Sequence, residues 1–146
     1  MAAATGDRAR KLELLGHLPL FAACSKKELG LVADLTTVSQ LPAGTVLTRE
    51  GAAGGLAFVI ASGRAEVSRD GRLLATLAQG DVVGELSLID GQPRSATVKA
   101  LTDLEVLEID GADLARLFKK APTVLRKLLE ALAGRLREID AITASM

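Results

Sequence analysis

Apolar residues recur at two different periods along this chain, and the changes of period divide it into three stretches. Leu12, Leu15 and Leu18 are spaced as on one face of a helix, and the run stops before Pro19. Ser25 followed by Glu28 forms a capping box, in which hydroxyl and carboxylate satisfy orphan amide donors at a helix start. Leu29, Val32 and Leu35 continue from it as one apolar face, with Leu31 beside it. Two short helices are therefore predicted before residue 36.

From Thr36 to Ile109 the chain is rich in Val, Leu, Ile and Thr and is broken by Gly every few residues. Pro42-Ala43-Gly44 is a turn signal ahead of Val46 and Leu47. Gly51 and the Gly54-Gly55 pair separate Arg49-Glu50 from the apolar run Leu56 to Ile60. Ser62-Gly63 and Asp70-Gly71 are two more turns, and an Asp-Gly pair suits the positive φ angles of a tight hairpin. Between them Ala65 and Val67 alternate with Arg64, Glu66 and Ser68, and Ala96, Val98 and Ala100 alternate with Thr97 and Lys99. A period of two leaves one face of each strand buried. Short strands at regular turns predict a barrel or sandwich, not alternating β/α units.

The helical period returns after Asp110. That residue is placed to cap a helix with Asp113 three positions on and Leu114, Leu117 and Phe118 as its apolar face. Ala121-Pro122 ends it and starts another, since proline is tolerated at a first helical position. The last helix is predicted from about Pro122 to Ile142, where Leu125, Leu129, Leu132, Leu136 and Ile139 recur at spacings of four and three, as in a coiled-coil seam. The order of helices, strands and helices predicts one α+β domain over residues 1–146, with strands over 36–109 and C-terminal helices over 110–142.

Composition narrows the chemistry. No run approaches the roughly 18 apolar residues of a membrane span, and Met1 to Arg10 carries charges without an apolar stretch, so a cytoplasmic protein, or a soluble piece of something larger, is expected. Lys plus Arg total 18 and Asp plus Glu total 18; this balance lacks the basic excess that phosphate neutralisation requires of a nucleic-acid binder. Three Phe and no Trp or Tyr leave little for base stacking, so a bound base would rest on aliphatic packing and hydrogen bonds. One Cys (Cys24) and one His (His17) exclude an internal disulfide and a His-rich metal centre, including that of a cupin-like enzyme. Both read as ordinary residues near a helix end. Nucleophile-plus-base catalysis finds few candidates, and neither metal nor cofactor nor catalytic residue is expected.

One segment, Gly80 to Ala96, sits among the strands without alternating like one: Gly-Asp-Val-Val-Gly-Glu-Leu-Ser-Leu-Ile-Asp-Gly-Gln-Pro-Arg-Ser-Ala. Gly84 permits a backbone conformation or a close approach that a Cβ would block. Glu85 to Ile89 has room for about one helical turn, and Asp90-Gly91 then turns the chain toward Pro93 and Arg94. A short helix after a glycine presents free amide donors and partial positive charge, which favour an anion. Arg94 adds a side chain able to grip a phosphate with two parallel hydrogen bonds, and Glu85 an acceptor for a hydroxyl. The alternative is that Arg94 and Glu85 pair with each other as a structural ion pair.

This segment resembles the phosphate-binding cassette of the cyclic-nucleotide-binding domain family, the catabolite activator protein and protein kinase A regulatory subunit type. The cassette of that family reads Phe-Gly-Glu-Leu/Ile-Ala/Ser-Leu, then Arg-Ser/Thr/Ala-Ala, and residues 84–88 and 94–96 match it within a cassette of 83–96. Gly44, Gly51, Gly63 and Gly80 fall where the family turns its strands, and Leu18-Pro19-Leu20-Phe21 with Ser25 and Glu28-Leu29 is similar to its N-terminal segment. The resemblance implies an antiparallel β-roll, a double-stranded β-helix or jelly-roll-like fold, with N-terminal helices and C-terminal lid helices. It implies a non-catalytic sensor of a cyclic nucleotide, cyclic AMP rather than cyclic GMP. Glu85 would accept the ribose 2′-hydroxyl, Gly84 and Leu86 would offer backbone groups, Ser87 and the Ala96 amide would donate to phosphate oxygens, and Arg94 would pair with its charge. Ser95 is either a base reader or a neutral neighbour of the phosphate. Arg135, Leu136, Ile139 and Asp140 are the candidates to close over the base or to meet a partner, with Arg135 reaching Glu85.

Two positions depart from the pattern: Val83 stands where Phe is common, and Ala52 replaces an Asp often seen after the Glu-Gly turn. The chain ends at Met146, seven residues after Ile139, so no helix-turn-helix DNA reader is expected to follow. A homodimer through the last helix or an effector domain is the expected output. A protein-interaction module that keeps the fold without nucleotide affinity is the alternative.

Overall fold

The capping box forms as the sequence requires: Glu28 N donates to Ser25 Oγ at 3.1 Å and Ser25 N donates to Glu28 Oε1 at 3.0 Å. It opens α2 (Lys26–Leu35), which follows α1 (Ala2–Gly16) in a computed structural model that describes residues 2–145. Leu18 lies just beyond α1, in a turn, yet is fully buried with Leu15.

Eight strands follow, interrupted once by a helix. They are β1 (Thr37–Leu41), β2 (Val46–Thr48), β3 (Leu56–Ser62), β4 (Ala65–Arg69), β5 (Arg72–Leu77), β6 (Val82–Val83), β7 (Thr97–Ala100) and β8 (Leu104–Asp110), with α3 (Glu85–Asp90) between β6 and β7. All pairings are antiparallel, in two four-stranded sheets of order β1-β8-β3-β6 and β2-β7-β4-β5. This is the β-roll. The turn between β4 and β5 has φ of 53° at Asp70 and 75° at Gly71, the two left-handed residues of a primed hairpin.

The two middle strands of the first sheet, β3 and β8, are buried on both faces, which explains the continuous apolar run of β3. Along β3, Phe58 and Ile60 join a core between the sheets with Val83, Val98, Leu104 and Val106. Ala57 and Val59 point the other way, into a core that Leu107, Ile109, Val32, Leu114, Leu117, Val124 and Leu128 complete from β8 and the helices. A strand covered on both faces has no polar side to show, so it loses its alternation.

Asp110 caps α4 (Gly111–Lys120) through Asp113 N at 2.8 Å, and α5 (Pro122–Ser145) follows. The predicted seam is mostly exposed, and the core is reached chiefly by other residues of this helix. Val124 and Leu128 are the buried residues of α5, at 2% and 3% exposure, while Leu129, Leu136 and Ile139 stand 57%, 64% and 58% exposed. Leu132, one turn after Leu128, is the member of the stripe that packs against the same core, so the stripe winds from the core side of α5 to its exposed side.

These two faces are separable by mutation. Leu128→Ala is expected to cost about 2–4 kcal/mol in urea denaturation with an unchanged m-value. Leu129→Ala, one residue on, should stay within about 0.5 kcal/mol. The opposite ranking would put the heptad stripe in the core.

Candidate ligand-binding site

The residues of the unusual segment are gathered by the way β6 hands the chain to α3. Gly84 sits at that junction with φ 80°, and a Cβ there would lie 2.4 Å from Arg94 Nη1 and 3.0 Å from Leu56 O. At Gly54 a Cβ would come within 2.7 Å of Ser87 Cβ and 2.9 Å of Arg94 Cζ. Both glycines are thus required by what occupies the space beside them, the Arg94 guanidinium. Gly54 was read from sequence only as a turn.

Arg94 is 7% exposed. Its Nη1 donates to Gly84 O at 2.7 Å and its Nη2 to Leu56 O at 2.6 Å. Its backbone is tied into the loop after β2, with Arg94 N donating to Ala52 O at 2.8 Å and Gly51 N to Arg94 O at 2.9 Å. Two of the five guanidinium N–H donors are therefore satisfied by carbonyls, and three are left. Burial draws the group down from its usual pKa, opposed by the Glu85 charge, and it remains a cation at neutral pH.

Glu85 does not pair with Arg94 among the described residues, so the simple structural ion pair is not formed. Its carboxylate, on a residue only 3% exposed, accepts from Arg135 Nη1 of α5 at 3.2 Å, while Arg135 Nη2 donates to Val82 O at 3.3 Å. Burial pushes the Glu85 carboxyl above its ordinary value, and its own backbone N–H and then Arg135 pull the other way.

A cavity of about 560 Å³ opens among these groups. Gly84, Glu85, Leu86, Ser87, Arg94, Ser95 and Ala96 all line it, with Arg135 and Ile139 from α5. Leu136 and Asp140 do not; they are exposed and lie outside the lining. Positions 135, 138 and 139 share one helix face, so Glu138, which was not among the candidates, joins Arg135 and Ile139 at the cavity. Thr48, Val67, Arg69, Leu74, Ala75, Leu77 and Val98 complete an aliphatic wall with a few polar groups. Val67 was legible as the inner face of a strand, whereas Arg69, Leu74, Ala75 and Glu138 carried no cue, since β5 is an exposed strand without a marked alternation.

Elsewhere, a more open depression of about 590 Å³ is lined by Arg8, Arg10, Lys11 and Gln40. Its cations are already engaged: Arg8 with Asp34, Arg10 with Glu105 at 2.7 Å, and Lys11 with the carbonyls of Ala33 and Thr36. Among the described residues no cluster of His, Cys, Asp and Glu could hold a metal ion, and no helix is long and apolar enough to cross a membrane. Partial burial raises the Cys24 pKa, which keeps it a thiol and a poor nucleophile.

The raised Glu85 pKa has a measurable sign. Between the ordinary carboxylate value and the raised one, the folded protein holds a proton that the unfolded chain has released, so stability falls as pH rises through that interval. Glu85→Gln removes this slope. Urea midpoints followed from pH 4 to 7 are expected to move in favour of the Gln variant as pH rises. A gap that moves the other way would mean that the Arg135 pair outweighs burial.

A family model described as the cyclic nucleotide-binding domain matches residues 38–121. The chain is 33% identical over 127 residues to a cyclic AMP receptor protein of Thermus thermophilus, covering 84% of this chain and 59% of that one. It is 36% identical over 105 residues to a cAMP-dependent protein kinase regulatory subunit of Yarrowia lipolytica, covering 70% and 28%. It thus spans between about a quarter and three-fifths of these curated relatives. Among solved structures, the catabolite activator protein of Thermus thermophilus superposes with TM-score 0.77 at 32% identity, covering 86% and 62% of the two chains. A second kinase regulatory domain, described as "Sp-2Cl-cAMPS bound to PKAR CBD2", gives TM-score 0.74 at 28% identity, covering 91% and 94%. With the β-roll, the segment from Gly84 to Ala96 and these matches in agreement, the chain belongs to the cyclic nucleotide-binding domain family.

Proposed function

We propose that this chain binds a cyclic nucleotide monophosphate, cyclic AMP in preference to cyclic GMP, as a non-catalytic sensor whose occupancy is read through α5. The observation that carries the reading is Arg94: a buried cation with unused N–H donors, lining the same cavity as an acceptor, Glu85. A cyclic phosphate is a singly charged anion beside a free ribose 2′-hydroxyl, and it needs both kinds of group at once. In this reading Arg94, Ser87 and the Ala96 amide hold the phosphate, Glu85 takes the hydroxyl, and Gly84 and Leu86 approach the sugar by their backbone. Val67, Leu74, Ala75, Leu77 and Ile139 supply the aliphatic contact that a base needs in the absence of Trp and Tyr. The preference for cyclic AMP is supported by the relatives, two of which are named for that ligand.

The output runs through Arg135. A ligand shifts an equilibrium only by its differential affinity for two states, and a helix that touches Glu85 changes that affinity when it moves. The exposed stripe of Leu129, Leu136 and Ile139 supports a second copy or an effector segment as the recipient.

Calorimetric titration with cyclic AMP and cyclic GMP tests the reading; heat with both and tighter binding of cyclic AMP is expected. No heat and no thermal shift with either would favour the interaction module instead. Arg94→Lys should lower affinity by about tenfold or more, because an ammonium cannot donate two parallel bonds in the guanidinium plane. Arg135→Ala should weaken binding with little change in urea midpoint, since a pair whose arginine is 43% exposed adds little stability. Equal affinity in that variant would remove Arg135 from the coupling.

A further inference from the structure

Three successive carbonyls in the segment that follows Arg94 are each held from behind by a different element. Arg94 O accepts from Gly51 N at 2.9 Å, Ser95 O from Arg69 Nε at 2.8 Å, and Ala96 O from Thr48 Oγ1 at 3.0 Å. Among the described residues no peptide bond is cis. In a planar trans peptide the C=O and the following N–H point in opposite directions. Fixing Ser95 O therefore fixes the direction of the Ala96 N–H. Among the described residues the amides of Ser95 and Ala96 find no acceptor outside the strand ladder, and both residues line the cavity.

From this arrangement we infer that Arg69, at the end of β4, is a positioning residue for the anion site: through Nε it holds the Ser95–Ala96 peptide so that the Ala96 N–H is aimed at the bound phosphate. The inference rests on the cyclic-nucleotide reading for its ligand, but not for its geometry. Arg69 is exposed, so the bond does not serve to satisfy a buried cation. Its effect lies in orientation, because a donor held on the carbonyl fixes the plane of the peptide and with it the direction of the N–H on its far side. Thr48, buried beneath, fixes the next peptide in the same way. The alternative role for Arg69, a direct charge contact with the ligand, makes a different demand on the side chain.

Two uncharged variants separate the roles. In glutamine, Nε2 is bonded to Cδ as Nε is in arginine, so Arg69→Gln keeps a donor at the same place without the charge; Arg69→Met keeps the length without the donor. Calorimetry with cyclic AMP should show Arg69→Met about five- to tenfold weaker than wild type, with Arg69→Gln recovering most of the loss. In the ligand-free protein, the Ala96 amide resonance should shift and exchange faster in Arg69→Met and stay near its wild-type position in Arg69→Gln. Equal weakening of both variants would make Arg69 a charge contact and overturn the proposal. So would unchanged binding, or an Ala96 amide indifferent to Arg69→Met. Should the wild type take up no cyclic nucleotide, the functional reading fails, and the amide measurement still decides whether Arg69 orients the peptide.

Discussion

A guanidinium buried to 7% exposure must be surrounded by acceptors, and most of the site geometry follows from accommodating Arg94. Among the described residues its guanidinium donates to two main-chain carbonyls, Gly84 O and Leu56 O, which carry partial and not full negative charge. The chain has room for it only because Gly54 and Gly84 lack side chains at the two places where Arg94 passes. Glu85 favours the cation through its charge but does not bond to it, and an anion placed against the guanidinium would offset more of the cost of burial. Its remaining N–H donors lie at the cavity that Glu85 and Ser87 also line.

Glu85 poses the opposite demand a few residues away. Its burial disfavours the carboxylate, and Arg135 from α5 offsets part of that cost. The contact joins α5 to Glu85, and it does so without a large stability contribution, since Arg135 remains partly in water. The buried anchor of α5 is Val124 and Leu128 near its start; the Arg135 end is held by polar contacts and exposes its apolar residues.

The two faces of the first sheet tie these features together. Phe58 and Ile60 look toward the inter-sheet core, Val59 and Ala57 toward the helices, and the same strand begins at Leu56, whose carbonyl receives Arg94. The cavity wall, the buried cation and the helical layer thus share one rigid strand. By contrast β5 is exposed along most of its length and brings Leu74 and Ala75 to the cavity from a sheet edge.

How much of this was legible before folding depends on the range over which each feature is decided. The helix starts at Ser25 and Asp110, the Asp70-Gly71 hairpin and the alternation of Val98 and Ala100 are local, because caps, turns and pleats are set by residues within a few positions. The ordered run from Gly84 to Ala96 was legible for the same reason, as its turn, helix and return are contiguous. The role of Gly54, the grip of Arg69 on Ser95 and the place of Glu138 at the cavity were not. Arg69 and Ser95 lie 26 residues apart, so no local rule relates them, and the contact of Arg135 with Glu85, 50 residues apart, was expected only through the family resemblance. The heptad stripe of α5 established that a helix forms there, but which side of it faces the core was decided by the packing of Val124 and Leu128 on the sheet. Amino-acid order determined the elements and the chemistry available to the site; only tertiary packing determined which distant groups meet, because burial and electrostatic pairing act through space and not along the chain.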